Sequence, residues 1–205
     1  MTEQRILDGI RQHVELLYQR YQRPFLLYHT IGHTVQVVRR VAELAGWYKL
    51  DREQRLIVEA AAWFHDTGHL FALPALHEEK GVELMEAYCQ AAQVEPGIVR
   101  QIAACILATK MPARPVNELQ RIMCDADTYH LGTADFWETN CNVWRETEAR
   151  ECRAVTDWRQ RSLHFLEAHH YFTDYCAERL NEQKLRNIQR LRDSLRSNAG
   201  PCDIG

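Results

Sequence analysis

The run Glu59-Ala60-Ala61-Ala62-Trp63-Phe64-His65-Asp66-Thr67-Gly68-His69-Leu70 constrains the chain more than any other. Its first half is an apolar helical segment of the kind that other helices must surround, because it has no polar face to turn to water. It ends in a histidine beside an aspartate. Both are costly to bury without partners, and a divalent cation (Mn, Fe, Zn, Co or Ni) satisfies an imidazole nitrogen and a carboxylate oxygen together. A lone His-Asp pair arises often by chance, so it informs only if two further ligands come from elsewhere. Gly68 is expected to let the backbone turn just past the pair.

The rest of the chain reads as helices. Ile6, Leu7, Ile10, Val14, Leu17, Tyr18 and Tyr21 recur at helical spacing over residues 3–21, and Pro24 follows. A second helix opens at His33, carries Val37, Val38, Val41 and Leu44 on one face, and closes near Gly46. Asp51 with Gln54 forms a capping box for the third, which runs to His65. A loop over 67–76 contains Pro74. Helices follow at 77–92, after Pro96-Gly97, from Val116 to Asp127, and near 133–150, 151–170 and 173–196. Strand signals are nearly absent. The expected fold is all-α, one helical bundle over residues 1–197 with a loose polar tail at 198–205.

Charge narrows the partners. Lys and Arg number 25 against 28 Asp and Glu, a net charge of −3, which gives no basic field for a nucleic-acid polymer. No apolar run reaches transmembrane length and no signal-peptide core is visible, so a membrane partner is not expected. Seven scattered cysteines, odd in number and never in a CxxC pair, argue against a disulfide framework or a zinc knuckle and for a reducing, cytoplasmic setting.

His33 opens one helix, His65-Asp66 closes the next, and Asp127 lies on a later one. Ligands this sparse converge only if the helices pack with these ends together. The order His…His-Asp…Asp resembles the HD-domain superfamily of metal-dependent phosphohydrolases. Local phrases sharpen the likeness to a small-phosphohydrolase branch. Tyr28-His29-x-x-x-His33 is similar to its YHNxxH opening, and Ala62-Trp63-Phe64-His65-Asp66 to its AxWFHD core. Asp125-Ala126-Asp127 with Leu131-Gly132 is similar to its DAD…LG helix, and the stretch from Phe165 through His169 to Thr173 to its FLxxHxxxT phrase. The Glu-Asp pair that follows His-Asp in ppGpp-hydrolysing relatives is absent, which argues against alarmone hydrolysis.

The resemblance implies a single HD-domain helical bundle whose divalent ion (Mn, Fe, Ni, Co, Zn or Mg) is held by His33, His65, Asp66 and Asp127. It implies a catalytic role for Asp66 and for Glu78, the latter as general base with Glu79 as competitor. His29, Lys110 and Arg114 are candidates for contacting substrate phosphate, against a helix-start hydrogen bond for the first and solvated loop cations for the others. His69 and His77 are candidate second-metal ligands or acid/base groups, against plain loop histidines. His164, His169 and His170 are read as packing or capping residues. The function implied is hydrolysis of a phosphoester in a small phosphorylated metabolite or nucleotide. The alternative is a metal-containing nucleotide sensor without turnover. A homo-oligomer is left open.

Overall fold

The computed structural model describes residues 3–196, and the tail expected at 198–205 lies outside the described residues. The fold is all-α: α1 Glu3–Tyr21, α2 Ile31–Trp47, α3 Arg52–Phe64, α4 His77–Ala91, α5 Pro96–Ala108, α6 Glu118–Asp127, α7 Phe136–Glu151, α8 Trp158–Ala168 and α9 Asp174–Arg196, with no strand among the described residues. None of these helices is long and apolar enough to cross a membrane. They group into two compact units. One holds the chain up to Arg23 and His29–Asp127; the other holds Pro24–Tyr28 and the chain from Thr128 onward.

In the first unit α3 is the centre, in contact with α1, α2, α5 and α6. Leu56, Ile57, Val58, Ala60, Ala61, Ala62, Trp63 and Phe64 are all buried, the outcome that the apolar stretch after the helix's polar first turn demands. Its start is the expected capping box: Gln54 N donates to Asp51 Oδ1 at 2.9 Å, and Asp51 N to Gln54 Oε1 at 3.0 Å. α1 lays Ile6, Ile10, Val14 and Tyr18 inward. α2 starts at Ile31, two residues ahead of the expected His33, because Thr30 caps it by accepting from His33 N. The expected loop over 67–76 contains two 3-10 turns, Thr67–Leu70 and Pro74–Leu76.

In the second unit Leu131, Phe136, Leu166, Ile188 and Leu191 form the core, with Trp137 and Leu163 packed against it. The helix expected from 151 begins only at Trp158. α7 stops at Cys152, which adopts a left-handed conformation (φ 51°), and residues 152–157 connect the two. Buried Glu146 accepts from Tyr28 N at 2.9 Å and pairs with Arg150 at 2.8 Å, which ties the 24–28 segment to α7. Cys89, Cys105, Cys124 and Cys176 are buried free thiols, as helical core cysteines should be; Cys141 is disulfide-bonded, which the argument against a disulfide framework did not anticipate.

Candidate metal centre

Three helix ends supply the four central residues. His33 sits in the first turn of α2, His65 caps the C-terminus of α3, Asp66 follows it, and Asp127 is the last residue of α6. His33 Nε2 lies 3.3 Å from both Asp66 Oδ2 and Asp127 Oδ1, and His65 Nε2 lies 3.2 Å and 3.5 Å from the same two oxygens. Ligand atoms of His33, His65 and Asp127 fall within 4.8 Å of one another. Hydrogen bonding does not account for His65 and Asp66. His65 Nε2 and Asp66 Oδ2 are fully buried and, close as they are, neither has a hydrogen bond of acceptable direction. Buried polar atoms rarely go without a partner, and two aimed at a common point fit a cation between them.

The orientation of His65 strengthens that fit. Its Nδ1 is 2.8 Å from the carbonyl of Ala62, which can only accept, so Nδ1–H donates and the lone pair stands on Nε2, toward the cluster. Electrostatics agree. Burial by itself would lower the pKa of His33 and His65, but Asp66 and Asp127 outweigh it and raise both, His65 well above the ordinary range. Burial likewise tends to raise the two carboxylates, and the facing imidazoles reverse this and hold both below their usual values. A field that favours a proton at this point favours a metal cation there too.

A second group shares Asp66. Ligand atoms of His29, Asp66 and His69 also lie within 4.8 Å of one another. Whereas Oδ2 faces His33 and His65, Oδ1 lies 3.9 Å from His69 Nε2 and 3.7 Å from His77 Nε2. The rings stack in series: His29 on His69 at 3.9 Å between centroids, His69 on His77 at 3.8 Å. His77 repeats the device of His65, with Nδ1–H donating to the carbonyl of Pro74 at 2.6 Å and Nε2 left with its lone pair. His69 is 6 % exposed and His77 is half-buried, so neither is a plain loop histidine.

The chain matches the family model described as HD domain over residues 30–132, about half its length. The chain belongs to the HD-domain family. Comparison with curated proteins and with solved structures gave no match. The matched HD domain takes in His33, the His65-Asp66 pair and Asp127, and its members are as a rule metal-dependent hydrolases.

Other predicted residues of the HD domain divide by burial. Glu78, in the first turn of α4, is 5 % exposed; its Oε2 has no hydrogen bond, and His77 Nδ1, 3.3 Å away, has its proton committed to Pro74. Glu79 is exposed and paired with Lys110, which raises the lysine pKa and lowers that of the carboxyl. Lys110 Nζ also donates to the carbonyl of Ala75 at 3.4 Å, so the lysine is held against the turn that precedes His77. Arg114 is exposed.

Gly68 has a different role from the one its type implies. No glycine of the described residues has positive φ, so Gly68 needs no special backbone freedom. Space is what it needs. A Cβ there would lie 1.9 Å from the carbonyl oxygen of His77, and one at Gly81 would lie 2.9 Å from that of Phe64. The two glycines let α4 close onto the end of α3, which brings His77 and Glu78 beside Asp66. The carbonyls of Ala62 and Pro74, which orient two of the imidazoles, carry no signal in the sequence.

Proposed function

We propose that the protein is a metal-dependent phosphohydrolase that cleaves a phosphoester of a small phosphorylated metabolite or nucleotide by attack of water on phosphorus. The observation that carries this reading is the convergence of His33, His65, Asp66 and Asp127, with the buried His65 Nε2 and Asp66 Oδ2 left without a hydrogen bond. A divalent ion at that point would supply Lewis-acid polarisation of a phosphoryl oxygen and a lowered pKa for water. His33, His65, Asp66 and Asp127 would hold it. His29, His69 and His77, beside the same Asp66, would be the residues to hold a second ion.

Glu78 takes the proton of the attacking water in this reading. Its carboxylate oxygen is buried next to the second group and unspent on any hydrogen bond, a poor arrangement for a structural residue and a useful one for a base. The same observation favours an enzyme over a sensor, which has no use for a base. Lys110 is the candidate to meet the phosphate, exchanging Glu79 for it; Arg114 would have to join from an exposed position.

Two measurements test the reading. Phosphate release from a panel of phosphate esters and nucleotides, with protein reloaded with Mn, Fe, Ni, Co, Zn or Mg, should find a substrate. Glu78→Gln should then lower turnover at least about tenfold, the lower part of the range for a general base. Metal content should not change. No turnover with any metal, together with tight calorimetric binding of a nucleotide, would replace the enzyme by a sensor.

A further inference from the structure

We infer a second ligand site, within the C-terminal unit, for a small amphipathic acid: one carboxylate on a short apolar body. A cavity of about 290 Å³ opens among α7, α8 and the turn Tyr129–Gly132, near the lower end of small-molecule pockets. Leu131, Phe136 and Leu166 give it an apolar floor.

Besides His130, whose imidazole can donate or accept, the polar side chains of its wall offer hydrogens. The indole Nε1–H of Trp158 is buried and has no acceptor. Ser162 donates its hydroxyl proton to Asn140 Oδ1 at 2.8 Å, which occupies the carboxamide oxygen and leaves the amide hydrogens as that residue's remaining resource. Arg161 gives its Nε–H to Asp157 at 3.0 Å, which leaves the terminal amino groups of a guanidinium on the wall. No carboxylate is among the lining residues.

A buried donor without an acceptor, on a wall where donors predominate over an apolar floor, fits a ligand whose head only accepts. The cationic guanidinium favours an anionic head, so a carboxylate is preferred to an alcohol or ester. Asp157 offsets part of that charge, so the apolar floor supplies most of the affinity and the head supplies orientation.

The probe is octanoate, titrated into the full-length metal-loaded protein by calorimetry, with 1-octanol as the uncharged comparator. Octanoate should bind more tightly than octanol, and Trp158→Phe, which keeps the packing and removes the N–H, should weaken it about five- to tenfold. Ser162→Trp should abolish binding by filling the space; if that variant fails to fold, Val143→Phe should weaken binding in its place. Asp66→Ala, which dismantles the metal centre, should leave octanoate affinity unchanged. The inference is overturned if octanoate does not bind at millimolar concentration, or if octanol binds as well. It is equally overturned if Trp158→Phe and the filling variants leave affinity intact, or if Asp66→Ala removes it.

Discussion

Each unit of the molecule buries histidine against charge, with opposite sign. In the HD domain His33 and His65 face carboxylates at 3.2–3.5 Å. In the C-terminal unit His169 faces an ammonium. Lys184 Nζ lies 3.3 Å from His169 Nδ1 and donates to the His169 carbonyl, and His169 Nε2 is 3.1 Å from Thr128 Oγ1. Burial works against a charged imidazole in both places. Asp66 and Asp127 overcome it in the first and raise the pKa. In the second, burial and then Lys184 act together and press His169 down to about 3. A histidine faced by carboxylates collects cations, whereas one faced by lysine is a neutral hydrogen-bonding group. His169 is the C-cap of α8, and Lys184 serves the carbonyl at that helix end.

The comparison breaks if metal follows the wrong histidine. Asp66→Ala removes the carboxylate that both metal-capable groups share, and bound metal measured by elemental analysis should fall at least about tenfold. Its melting temperature should fall below wild type in excess metal, and that gap should shrink with a chelator present. His169→Ala should retain the full metal content. Retention of metal by Asp66→Ala would end the assignment of the centre.

Next in size is Gly68→Ala. The added methyl meets a main-chain oxygen, which cannot swing aside, so the start of α4 must move with His77 and Glu78. A destabilisation of about 1–3 kcal/mol by denaturant titration is expected for such overpacking, together with a loss of turnover. A neutral result would show that α4 does not need its close seat on α3.

The sequence carried the helices because apolar spacing along a single helix encodes them, whereas His33, His65, Asp66 and Asp127, spread over three helices, were suggested as ligands by the HD-domain resemblance. Apolar periodicity located α1 to α6, and the Asp51–Gln54 box located the start of α3 to the residue. What spacing along one helix does not encode was not legible. The close approach of Gly68 to His77, the Ala62 and Pro74 carbonyls that fix two imidazoles, and the Lys110–Glu79 pair all join different elements. The late start of α8 was hidden for a related reason, since Ala154-Val155-Thr156 reads as well in a helix as in the loop it occupies. His69 and His77 stood in the sequence as candidate ligands or acid/base groups against plain loop histidines; their stacking beside Asp66 depends on the close seat of α4 that Gly68 leaves room for.

A smaller effect sharpens the other half of the comparison. Lys184→Met removes the ammonium beside His169 while preserving most of the side-chain volume. The imidazole pKa, followed by NMR, should rise above about 3, yet stay below the ordinary 6.5, because burial is the larger cause of its depression. A full return to the ordinary value would make Lys184 the dominant cause.

The smallest effect is a slope. With a folded pKa of about 3 against an ordinary 6.5, His169 is neutral in the native protein across a window where the unfolded chain binds its proton. The unfolded state therefore gains protons as pH falls, and stability declines from 6.5 toward about 3, by at most about 1.4 kcal/mol per pH unit. Above 6.5 both states are neutral at this position and the contribution is complete. His169→Gln cannot titrate, so its stability relative to wild type should improve as pH is lowered through that window and level off above it. The metal-centre histidines have raised pKa values, and in chelated protein they give the opposite tilt: their contribution is complete below 6.5 and fades as pH rises through the raised values. Chelated His65→Asn should accordingly gain on wild type toward alkaline pH, and His169→Gln toward acid. If both variants tilt the same way in urea titrations across pH, the carboxylate-against-ammonium distinction does not govern the two sites.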